Sequence, residues 1–481
     1  MRAALACTIV LAVATLLACG GSEDPSAATA AAGADATEED PTGVALGRCD
    51  GRPELDPAFR CGSIEVPKFR SAPEKGSFEI GFAVRARDDR TSPSRGTIVA
   101  VEGGPGYSST GTANSFTKLF GGLLEHRELV LVDMRGTGRS EPVRCPGIQQ
   151  GTAPAWIALS ECARRLGDDW EAYATGAAAE DIDAVREALE LGAITLYGDS
   201  YGTYLAQAYA FRHPDELEAL VLDGAYPVKG ESPWYPSLIT TGNEAMETSC
   251  RRSPNCTGDA GRRLDRAARY MRRTGMNVGE LIDAIAGASY DPPSSYVAVD
   301  RAIGKLLDGR ARAWRRLTLA EKVASDDRFS YSTASELMTG CNDYPMIWDR
   351  DASEPERRAQ LERAIRAYDE DAFGPFTPRE VALATDVGYL ECLTWPRPTE
   401  LREPPVRPGM EPTDAPVLVV NGELDDLTTP FEGGLVADLF PNSRRFVARN
   451  AGHVDALYDS EGPSARTIRR FLREVYSGDG G

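Results

Sequence analysis

The stretch ITLYGDSYGTYLA at residues 194–206 decides the fold of this chain. Its first residues are β-branched, apolar and aromatic, as in a strand, and the residues after Gly202 favour a helix. Between them lies a Gly-x-Ser-x-Gly motif in the strand–turn–helix setting of a nucleophile elbow. Gly198 and Gly202 fit where strand and helix come close, and the tight turn leaves Ser200 exposed above the sheet. The helix dipole and the backbone N–H of Tyr201 would stabilise an oxyanion there.

Three histidines are available as the base that a nucleophilic serine requires. His213 ends the helix that the motif begins, roughly three to four turns from Ser200, and fits a C-terminal cap. His126 lies in a charged connection before a strand, where its side chain is expected to face solvent. His453 lies in a Gly-containing loop after the strand-like residues 444–448, which is where the base belongs. We therefore predict that His453 is the general base.

The acid that orients the histidine precedes it in chains with this elbow. Residues 416–422 (PVLVVNG) read as a buried parallel strand, and an acidic loop follows them. The candidates in that loop are Glu423, Asp425 and Asp426. The candidate that acts as the acid would accept a hydrogen bond from the ring N–H of His453, fix the tautomer of the imidazole and stabilise the imidazolium.

These features resemble the α/β-hydrolase fold, a mostly parallel central sheet flanked by helices. More narrowly, the chain is similar to the serine aminopeptidases related to proline iminopeptidase and to the secreted tripeptidyl aminopeptidases, over about residues 49–477. Besides the elbow, the motifs that carry the resemblance are Gly103-Gly104-Pro105-Gly106, residues 133–140 (DMRGTGRS), Cys341-Asn342-Asp343, residues 392–396 (CLTWP), and the loops with Asp425 and His453.

The resemblance assigns roles that the residues alone leave open. It places the acid three residues after Gly422, which selects Asp425. It also implies that the N–H of Gly104 is the second oxyanion donor, beside that of Tyr201. Relatives often have a histidine immediately before the Gly-Gly-Pro-Gly motif, whereas this chain has Glu102. That departure leaves the oxyanion backbone intact but bears on the identity of the substrate.

An aminopeptidase must hold a free α-ammonium group at a fixed distance from the nucleophile. Buried carboxylates are natural partners for such a group. If Cys341 and Cys392 form a disulfide, Asp343 and Glu391 come close together. We therefore expect Asp343, Glu391 and Glu102 to be the substrate-binding carboxylates.

The predicted strands are of two kinds. Residues 61–67 and 77–84 have alternating faces and fit antiparallel edge positions. Residues 97–101 and 129–133 are unbroken apolar runs, as in buried parallel strands, and residues 217–223 give the strand after the elbow.

The regular alternation of strands and helices stops after residue 223 and resumes at residue 416. Residues 44–225 and 396–481 are therefore predicted as the two parts of an α/β-hydrolase core, which ends in a helix over 463–476. Residues 226–395 are predicted as an inserted helical cap that encloses the substrate site.

Residues 1–18 are predicted to be a secretory signal peptide, since their apolar run is too short for a spanning helix. The signal ends in Leu16-Leu17-Ala18-Cys19, which resembles a lipoprotein box, so Cys19 is expected to become the lipidated first residue. Ordinary cleavage, which would give a freely secreted enzyme, is the alternative. Residues 19–43 are small, acidic and low in complexity, as in a disordered tether. The expected location is the cell envelope, with the lipid anchor as the contact with the membrane.

Of the ten cysteines in the chain, eight follow Cys19. An even number in an exported chain indicates disulfides, and pairing of sequence neighbours is the simplest connectivity. Cys250 and Cys256 lack the paired Cys-x-x-Cys spacing of a zinc site, and we expect neither a metal nor an organic cofactor. The net charge of −20 argues against nucleic acid as a partner.

The sequence thus predicts an exported serine hydrolase that releases short peptides or amino acids from free N-termini through an acyl-enzyme on Ser200. An esterase or lipase with the same three residues is the alternative, because identical machinery cleaves esters. Activity on aminoacyl anilides would separate the two. A surface binding protein that kept the fold without the chemistry is a further alternative, which labelling of Ser200 by an organophosphonate would test.

Overall fold

The computed structural model describes residues 38–39, 44–50, 55–151, 153–256, 258–320, 330–384 and 390–478. The predicted signal peptide, Cys19 and nearly all of the predicted tether lie outside the described residues. Within those ranges, no helix has both the length and the apolar character needed to cross a membrane. Thr37–Gly481 form one compact unit.

A single ten-stranded sheet runs through the described part of the chain, in the order β1-β2-β3-β4-β6-β5-β7-β8-β9-β10. The strands are β1 (Glu38–Glu39), β2 (Ala45–Arg48), β3 (Phe59–Pro67), β4 (Ser77–Arg85), β5 (Thr97–Val101), β6 (Glu128–Val132), β7 (Ile194–Asp199), β8 (Leu217–Asp223), β9 (Val417–Gly422) and β10 (Ser443–Ala448). Pairing is antiparallel from β1 to β4 and between β4 and β6, and it is parallel from β6 to β10. The predicted mostly parallel sheet, with antiparallel strands at one side, is confirmed.

Both faces of the parallel strands are buried, which explains their unbroken apolar sequences. Val99 and Val101 of β5 face one core cluster together with Leu196 of β7. Ile98 of β5 and Tyr197 of β7 point to the opposite face and join the second cluster. This alternation, with a period of two residues, is what a fully covered strand requires.

Helices of the first part of the chain connect these strands. They are α1 (Ala113–Phe120), α2 (Pro146–Gln149), α3 (Ala155–Leu166), α4 (Thr175–Ala188) and α5 (Tyr201–Arg212). The helix α5 begins directly after the elbow, and nearly all of its side chains are buried. A helix that is apolar all round can be stable only inside the protein, so α5 anchors the elbow in the core.

Eight described helices lie between β8 and β9, in the stretch predicted as a cap. They are α6 (Pro236–Arg252), α7 (Ala260–Thr274), α8 (Gly279–Gly287), α9 (Ser294–Leu307), α10 (Arg312–Ala320), α11 (Thr333–Asp343), α12 (Glu354–Ala367) and α13 (Pro378–Ala382). In the arginine-rich α7, Leu264, Ala268 and Met271 are buried along one face. Its charged residues lie on the other faces, as an amphipathic helix requires.

Three more helices complete the core: α14 (Pro430–Ala437), α15 (Asp455–Tyr458) and α16 (Pro463–Ser477). The last of them agrees with the helix predicted over 463–476. Its apolar residues Ile468, Phe471 and Leu472 are buried in the same cluster as Val221 of β8 and Val420 of β9. Each such side chain contributes about 1.5–3 kcal/mol to stability through burial.

Four disulfides join sequence neighbours: Cys49–Cys61, Cys145–Cys162, Cys250–Cys256 and Cys341–Cys392. This is the simplest of the connectivities that the sequence allows. The bond between Cys341 and Cys392 closes the longest interval, 51 residues, and ties α11 to the short 3-10 turn Leu390–Thr394. The region that leads back to the core is thereby held against α11.

Strand register brings the loops of the site together. Val101 of β5 pairs with Gly198 of β7, Asp199 pairs with Asp223 of β8, and Ala448 of β10 pairs with Gly422 of β9. Because the strands are parallel, the loops that follow them leave from one edge of the sheet. The predicted nucleophile, acid and base all lie on those loops.

Candidate active site

Ser200 has the backbone geometry of a nucleophile elbow. Its φ of 50° and ψ of −122° lie in a region that non-glycine residues rarely adopt. A Cβ on Gly198 would overlap the carbonyl of Gly202, and one on Gly202 would come within 2.5 Å of the Val101 oxygen. The Ser200 N–H donates to the Asp223 carbonyl at 2.8 Å, which ties the strained turn to β8. Such strain persists only where the surroundings impose it, as they do here.

His453 lies next to the serine, although 253 residues separate them in the sequence. Its Nε2 is 2.9 Å from Ser200 Oγ, and the residue is only 4% exposed. The backbone N–H of His453 donates to the backbone carbonyl of Ser289 at 2.9 Å. The ring of Tyr290 stands edge-on to the imidazole, with 5.4 Å between ring centroids. The structure thus brings the predicted base and the predicted nucleophile together.

Asp425 lies on the other side of the imidazole. His453 Nδ1 is 3.2 Å from its Oδ1 and 3.1 Å from its Oδ2. The N–H groups of Leu427 and Thr428 donate to Oδ1 at 3.0 Å each, and the Thr428 hydroxyl donates to Oδ2 at 2.8 Å. These three donors hold the buried carboxyl group of Asp425 in a fixed orientation beside the imidazole. These distances fit a tautomer in which Nδ1–H donates to Asp425 and Nε2 accepts from Ser200.

The other acids of the loop have different partners. Asp426 is buried beside Asp425, and burial raises its pKa well above the usual value, with repulsion from Asp425 adding to the shift. Glu423 pairs with Arg252 at 2.7 Å, and hydrogen bonds from that guanidinium lower its pKa to about 2. Neither carboxylate is hydrogen-bonded to His453 within the described part of the chain, whereas Asp425 is.

The remaining histidines form ion-pair contacts outside this site. His126 Nδ1 lies 3.6 Å from Asp89. His213, in agreement with a cap position, directly follows α5 and lies 3.4 Å from Glu180 and 3.5 Å from Asp183.

Gly103 and Gly104 bring a second backbone segment to the serine. A Cβ on Gly103 would lie 2.7 Å from Ser200 Cβ and 3.2 Å from the Tyr201 nitrogen, so only glycine permits this approach. Gly104 lines the same pocket as Ser200. Tyr201 is the first residue of α5, where the helix has no internal acceptor for the N–H. The two predicted oxyanion donors therefore belong to segments that meet beside the nucleophile.

The motif at residues 133–140 supports this arrangement. Asp133, buried at the end of β6, accepts from the Thr110 N–H and hydroxyl, both at 2.8 Å, and from the Ser108 hydroxyl at 3.0 Å. It also accepts from the Arg139 N–H at 2.8 Å. Burial raises the pKa of Asp133. The Asp133 carboxyl group thus links the loop after the Gly-Gly-Pro-Gly motif to the turn at residues 133–140.

A pocket opens onto Ser200 and His453. Its aromatic lining consists of Tyr226, Tyr235, Tyr290 and Tyr344. Two carboxylates, Glu336 and Glu432, also line it. The pocket therefore combines a nucleophile, aromatic walls and two carboxyl groups.

Neither of these two carboxylates was identified from the sequence. Glu336 lies in the first turn of α11 and accepts a hydrogen bond from the Tyr331 hydroxyl. Glu432 is buried at the start of α14, where it forms a capping box with Thr429 and accepts the Thr429 N–H at 2.8 Å. Burial raises the pKa of Glu432 to about 8, and Glu231 and Asp425 nearby add to the shift. Thr-x-x-Glu marks a helix start in the sequence, but nothing local shows that it borders a pocket.

The expected substrate-binding carboxylates lie elsewhere. Asp343 is buried, but it accepts from the Thr175 N–H at 2.6 Å and pairs with Arg402 at 3.2 Å. Glu391 lies on the 3-10 turn Leu390–Thr394, and neither residue is among those that line the pocket. The reason is helical geometry: seven residues of α11, or roughly 10 Å, separate Asp343 from Glu336. The first turn of the helix reaches the pocket, and its last turn contacts Thr175.

Glu102 follows β5 directly and contacts Asp199, the residue before the nucleophile. Burial raises its pKa to about 7, although hydrogen bonds from Thr112, Asp199 and the Gly103 backbone partly oppose the shift. Glu102 is thus beside the residue that precedes the nucleophile, but it is not among the residues that line the pocket.

One group of potential metal ligands occurs among the described residues, formed by Cys250, Cys256 and Asp300. The two cysteines are joined in a disulfide, and Asp300 pairs with Arg263 at 2.8 Å. A cysteine binds a metal ion as a free thiolate, which a disulfide does not offer, so this group does not fit a metal site.

Comparison with known proteins agrees with this fold. A family model for the α/β-hydrolase fold matches residues 96–241, and a model described as TAP-like protein matches residues 381–476. The chain is 25% identical over 427 residues to the serine protease Hip1 of Mycobacterium tuberculosis, with 78% of each chain covered. It is 24% identical over 438 residues to the tripeptidyl aminopeptidase of Streptomyces lividans, with 83% of this chain and 78% of the relative covered. Among solved structures, proline iminopeptidase of Mycobacterium smegmatis matches with a TM-score of 0.40 and 16% identity, over 87% of this chain and 99% of the other.

The parallel sheet, the elbow and the two family matches define the class of this protein: it has the α/β-hydrolase fold. It is an enzyme of the serine-peptidase type, the type to which the two relatives belong.

Proposed function

We propose that this enzyme is an aminopeptidase that cleaves peptides near a free N-terminus by way of an acyl-enzyme on Ser200. His453 Nε2 takes the Ser200 proton as Oγ attacks the carbonyl carbon, and it then donates that proton to the leaving amine. Asp425 orients the imidazole and stabilises its charged form. The N–H groups of Gly104 and Tyr201 donate to the oxyanion. Water then hydrolyses the acyl-enzyme by the same steps in reverse.

The observation that carries the proposal is the pocket that joins Ser200 and His453 to Glu336 and Glu432. An ammonium group bound by these carboxylates would place the peptide bond at a set distance along the pocket, at the serine. Burial strengthens such a charged hydrogen bond, because water does not compete for it. The aromatic walls formed by Tyr226, Tyr235 and Tyr344 would enclose the substrate residues between the amine and the cleaved bond.

The test compares peptidyl substrates with a free N-terminus against their N-acetylated counterparts. Glu432→Gln keeps the capping box, since glutamine also accepts from Thr429, but it removes the charge. We expect Glu336→Gln and Glu432→Gln to lower kcat/KM for free peptides by about 10- to 100-fold, the value of a hydrogen bond to a charged group. Glu391→Gln, outside the pocket, serves as the matched control. Equal hydrolysis of free and acetylated substrates, or hydrolysis of simple esters without hydrolysis of the peptides, would favour the esterase alternative.

The proposed location is the cell envelope, with lipidation at Cys19 and residues 19–43 as the tether. The sequence of the first 43 residues supports this, and so do the four disulfides, because such bonds persist in oxidising compartments. We also propose the division into core and cap, with residues 226–395 covering the site. Phase partition of wild-type and Cys19→Ser protein tests the anchor: a variant that stays in the detergent phase would contradict it.

A further inference from the structure

Three large aromatic side chains are exposed around the catalytic groups. They are Tyr107, Tyr290 and Tyr458, with 45%, 51% and 67% of their surface accessible. Single exposed aromatics are ordinary, but a group of them at one place marks a binding surface. Tyr107 and Tyr458 belong to segments that carry proposed catalytic groups, and Tyr290 contacts His453; we call the three the tyrosine rim.

Each member of the tyrosine rim is placed by contacts with the site. Tyr107 donates its N–H to the Gly103 carbonyl at 3.2 Å, and its ring packs 4.6 Å from that of Tyr331. Tyr290 ends the 3-10 turn Ala288–Tyr290. In that turn, the Ser289 carbonyl accepts a hydrogen bond from the backbone N–H of His453. Its own ring meets the imidazole edge-on.

The third member reaches the rim from the base loop. Tyr458 ends α15, which begins two residues after His453. The helix α15 contacts α1, the helix that follows the Gly-Gly-Pro-Gly loop, so Tyr458 lies on the side of the site where that loop runs. Its hydroxyl is also within electrostatic range of Tyr107 and Glu102. The tyrosine rim therefore extends from the oxyanion loop to the base.

The chemistry of the reaction indicates what occupies this surface. In the proposed function, Glu336 and Glu432 hold the N-terminal amine, so the acyl part of the substrate fills the pocket. The leaving amine must lie at His453 Nε2 to receive its proton. The polypeptide beyond the cleaved bond then has to leave past His453, where Tyr290 and Tyr458 are exposed.

We propose that the tyrosine rim binds the part of the substrate on the leaving side of the cleaved bond and favours apolar or aromatic residues in its first two positions. Aromatic faces pack well against such side chains, and the hydroxyls remain in water. A ring contact of this kind corresponds to a change of roughly three- to tenfold in kcat/KM. The inference rests on the proposed function, because it takes the pocket as the acyl side.

The experiment uses substrates that share one free-amine acyl part and differ in the leaving part, either glycinamide or phenylalanyl-phenylalaninamide. We expect the wild-type enzyme to prefer the aromatic leaving part. Tyr107→Ala and Tyr458→Ala should each reduce kcat/KM for it by roughly three- to tenfold and leave the glycinamide substrate unchanged. Trp156→Ala, an aromatic that is 47% exposed on α3, is the matched control.

A second readout uses the reverse step on the acyl-enzyme. An added amine attacks the acyl carbonyl, His453 takes the amine proton, and Ser200 Oγ leaves and regains that proton. Aromatic dipeptide amides should intercept the acyl-enzyme better than glycinamide in the wild type, and this advantage should shrink in the rim variants. Two results would overturn the proposal for the tyrosine rim without contradicting the aminopeptidase function. They are turnover that does not depend on the leaving part, and variants in which kcat/KM falls equally for both substrates. No turnover of any free-amine peptide would overturn both.

Discussion

Glu102 and Asp199 meet directly beyond the last paired residues, Val101 and Gly198, of two neighbouring parallel strands. The charge of Glu102 acts directly on the carboxyl group of Asp199. Each also has a buried oxygen, Oε2 of Glu102 and Oδ1 of Asp199, for which the described residues provide no donor. A proton shared by the two carboxyl groups would satisfy both oxygens.

This pair connects the two backbone segments that carry the proposed oxyanion donors. Glu102 directly precedes the Gly-Gly-Pro-Gly loop, and Asp199 directly precedes Ser200. Burial raises the pKa of both, that of Glu102 to about 7, and repulsion from Glu102 and Asp223 raises that of Asp199 further. Ionisation of both carboxyl groups would place two negative charges next to the segments that carry the proposed oxyanion donors.

The first prediction concerns activity at alkaline pH. We expect kcat/KM of the wild type to fall as the pH rises above about 7, because Glu102 ionises beside Asp199. Glu102→Gln should extend the active range to higher pH, since the amide N–H donates to Asp199 at every pH. The measurement is the pH profile of kcat/KM from pH 6 to 9.5. Identical alkaline limbs in both proteins would show that the pair has no part in activity.

The second prediction concerns stability and follows from the sign of the same shift. A carboxyl whose pKa is raised on folding binds its proton more tightly in the folded state. Its contribution to stability is present below about pH 4.5 and is lost as the pH rises through about 7 for Glu102 and about 8 for Glu432. For Glu102 the loss reaches up to about 3 kcal/mol. We expect Tm to be lower at pH 8.5 than at pH 5.5, and a smaller difference in Glu102→Gln.

The third prediction concerns Thr428, whose hydroxyl donates to Asp425 Oδ2 at 2.8 Å and lies 3.1 Å from His453 Nδ1. Removal of a hydrogen bond to a buried charge costs about 1.5–3 kcal/mol. Thr428→Ala should therefore lower kcat by roughly 10- to 100-fold, and Thr428→Ser should restore most of it. Stopped assays with both variants provide the measurement. An alanine variant as active as the serine variant would mean that the hydroxyl does not position Asp425.

The fourth prediction concerns the approach of Gly103 to the nucleophile. The Cβ of an alanine there would lie 2.7 Å from Ser200 Cβ, and the loop would have to shift. We expect Gly103→Ala to lower kcat/KM by about 10²-fold or more, which is the effect of losing one oxyanion donor. Gly122→Ala, where a Cβ meets nothing within 4 Å, is the control and should keep full activity.

The fifth prediction concerns substrate binding at Glu432. Its pKa of about 8 means that the empty pocket holds a protonated carboxyl at neutral pH. An ammonium group favours the ionised form, so binding of a free peptide releases a proton. We expect KM for free peptides to fall as the pH rises from 6 to 7, and Glu432→Gln to abolish this dependence. A KM that changes with pH in the same way in both proteins would show that Glu432 does not bind the substrate amine.

The features that the sequence predicts well are local ones. The elbow needs only residues 194–206, and the buried strands are visible as unbroken apolar runs because both faces of the sheet are covered. His453 was accessible by elimination, since the chain has three histidines. The choice of Asp425 over Asp426 required the family resemblance, because adjacent carboxylates look alike in sequence. In the structure they differ by which one meets the imidazole.

The pocket carboxylates could not be predicted in this way. Glu336 and Asp343 lie on the same helix, and only the docking of α11 decides that its first turn reaches the pocket. Glu432 reads as a helix cap, which it also is. The contact between Glu102 and Asp199 depends on the register of β5 against β7, a long-range property. Such features depend on how elements pack, which local patterns do not encode.

The most direct measurement is covalent labelling by a pair of peptidyl diphenyl phosphonates, one with a free α-amine and one N-acetylated, followed by intact mass and peptide mapping. We predict a single adduct on Ser200, formed faster with the free amine, absent in Ser200→Ala and strongly slowed in His453→Ala. An adduct at another residue, equal rates for the two reagents, or undiminished labelling of the His453 variant would contradict the account.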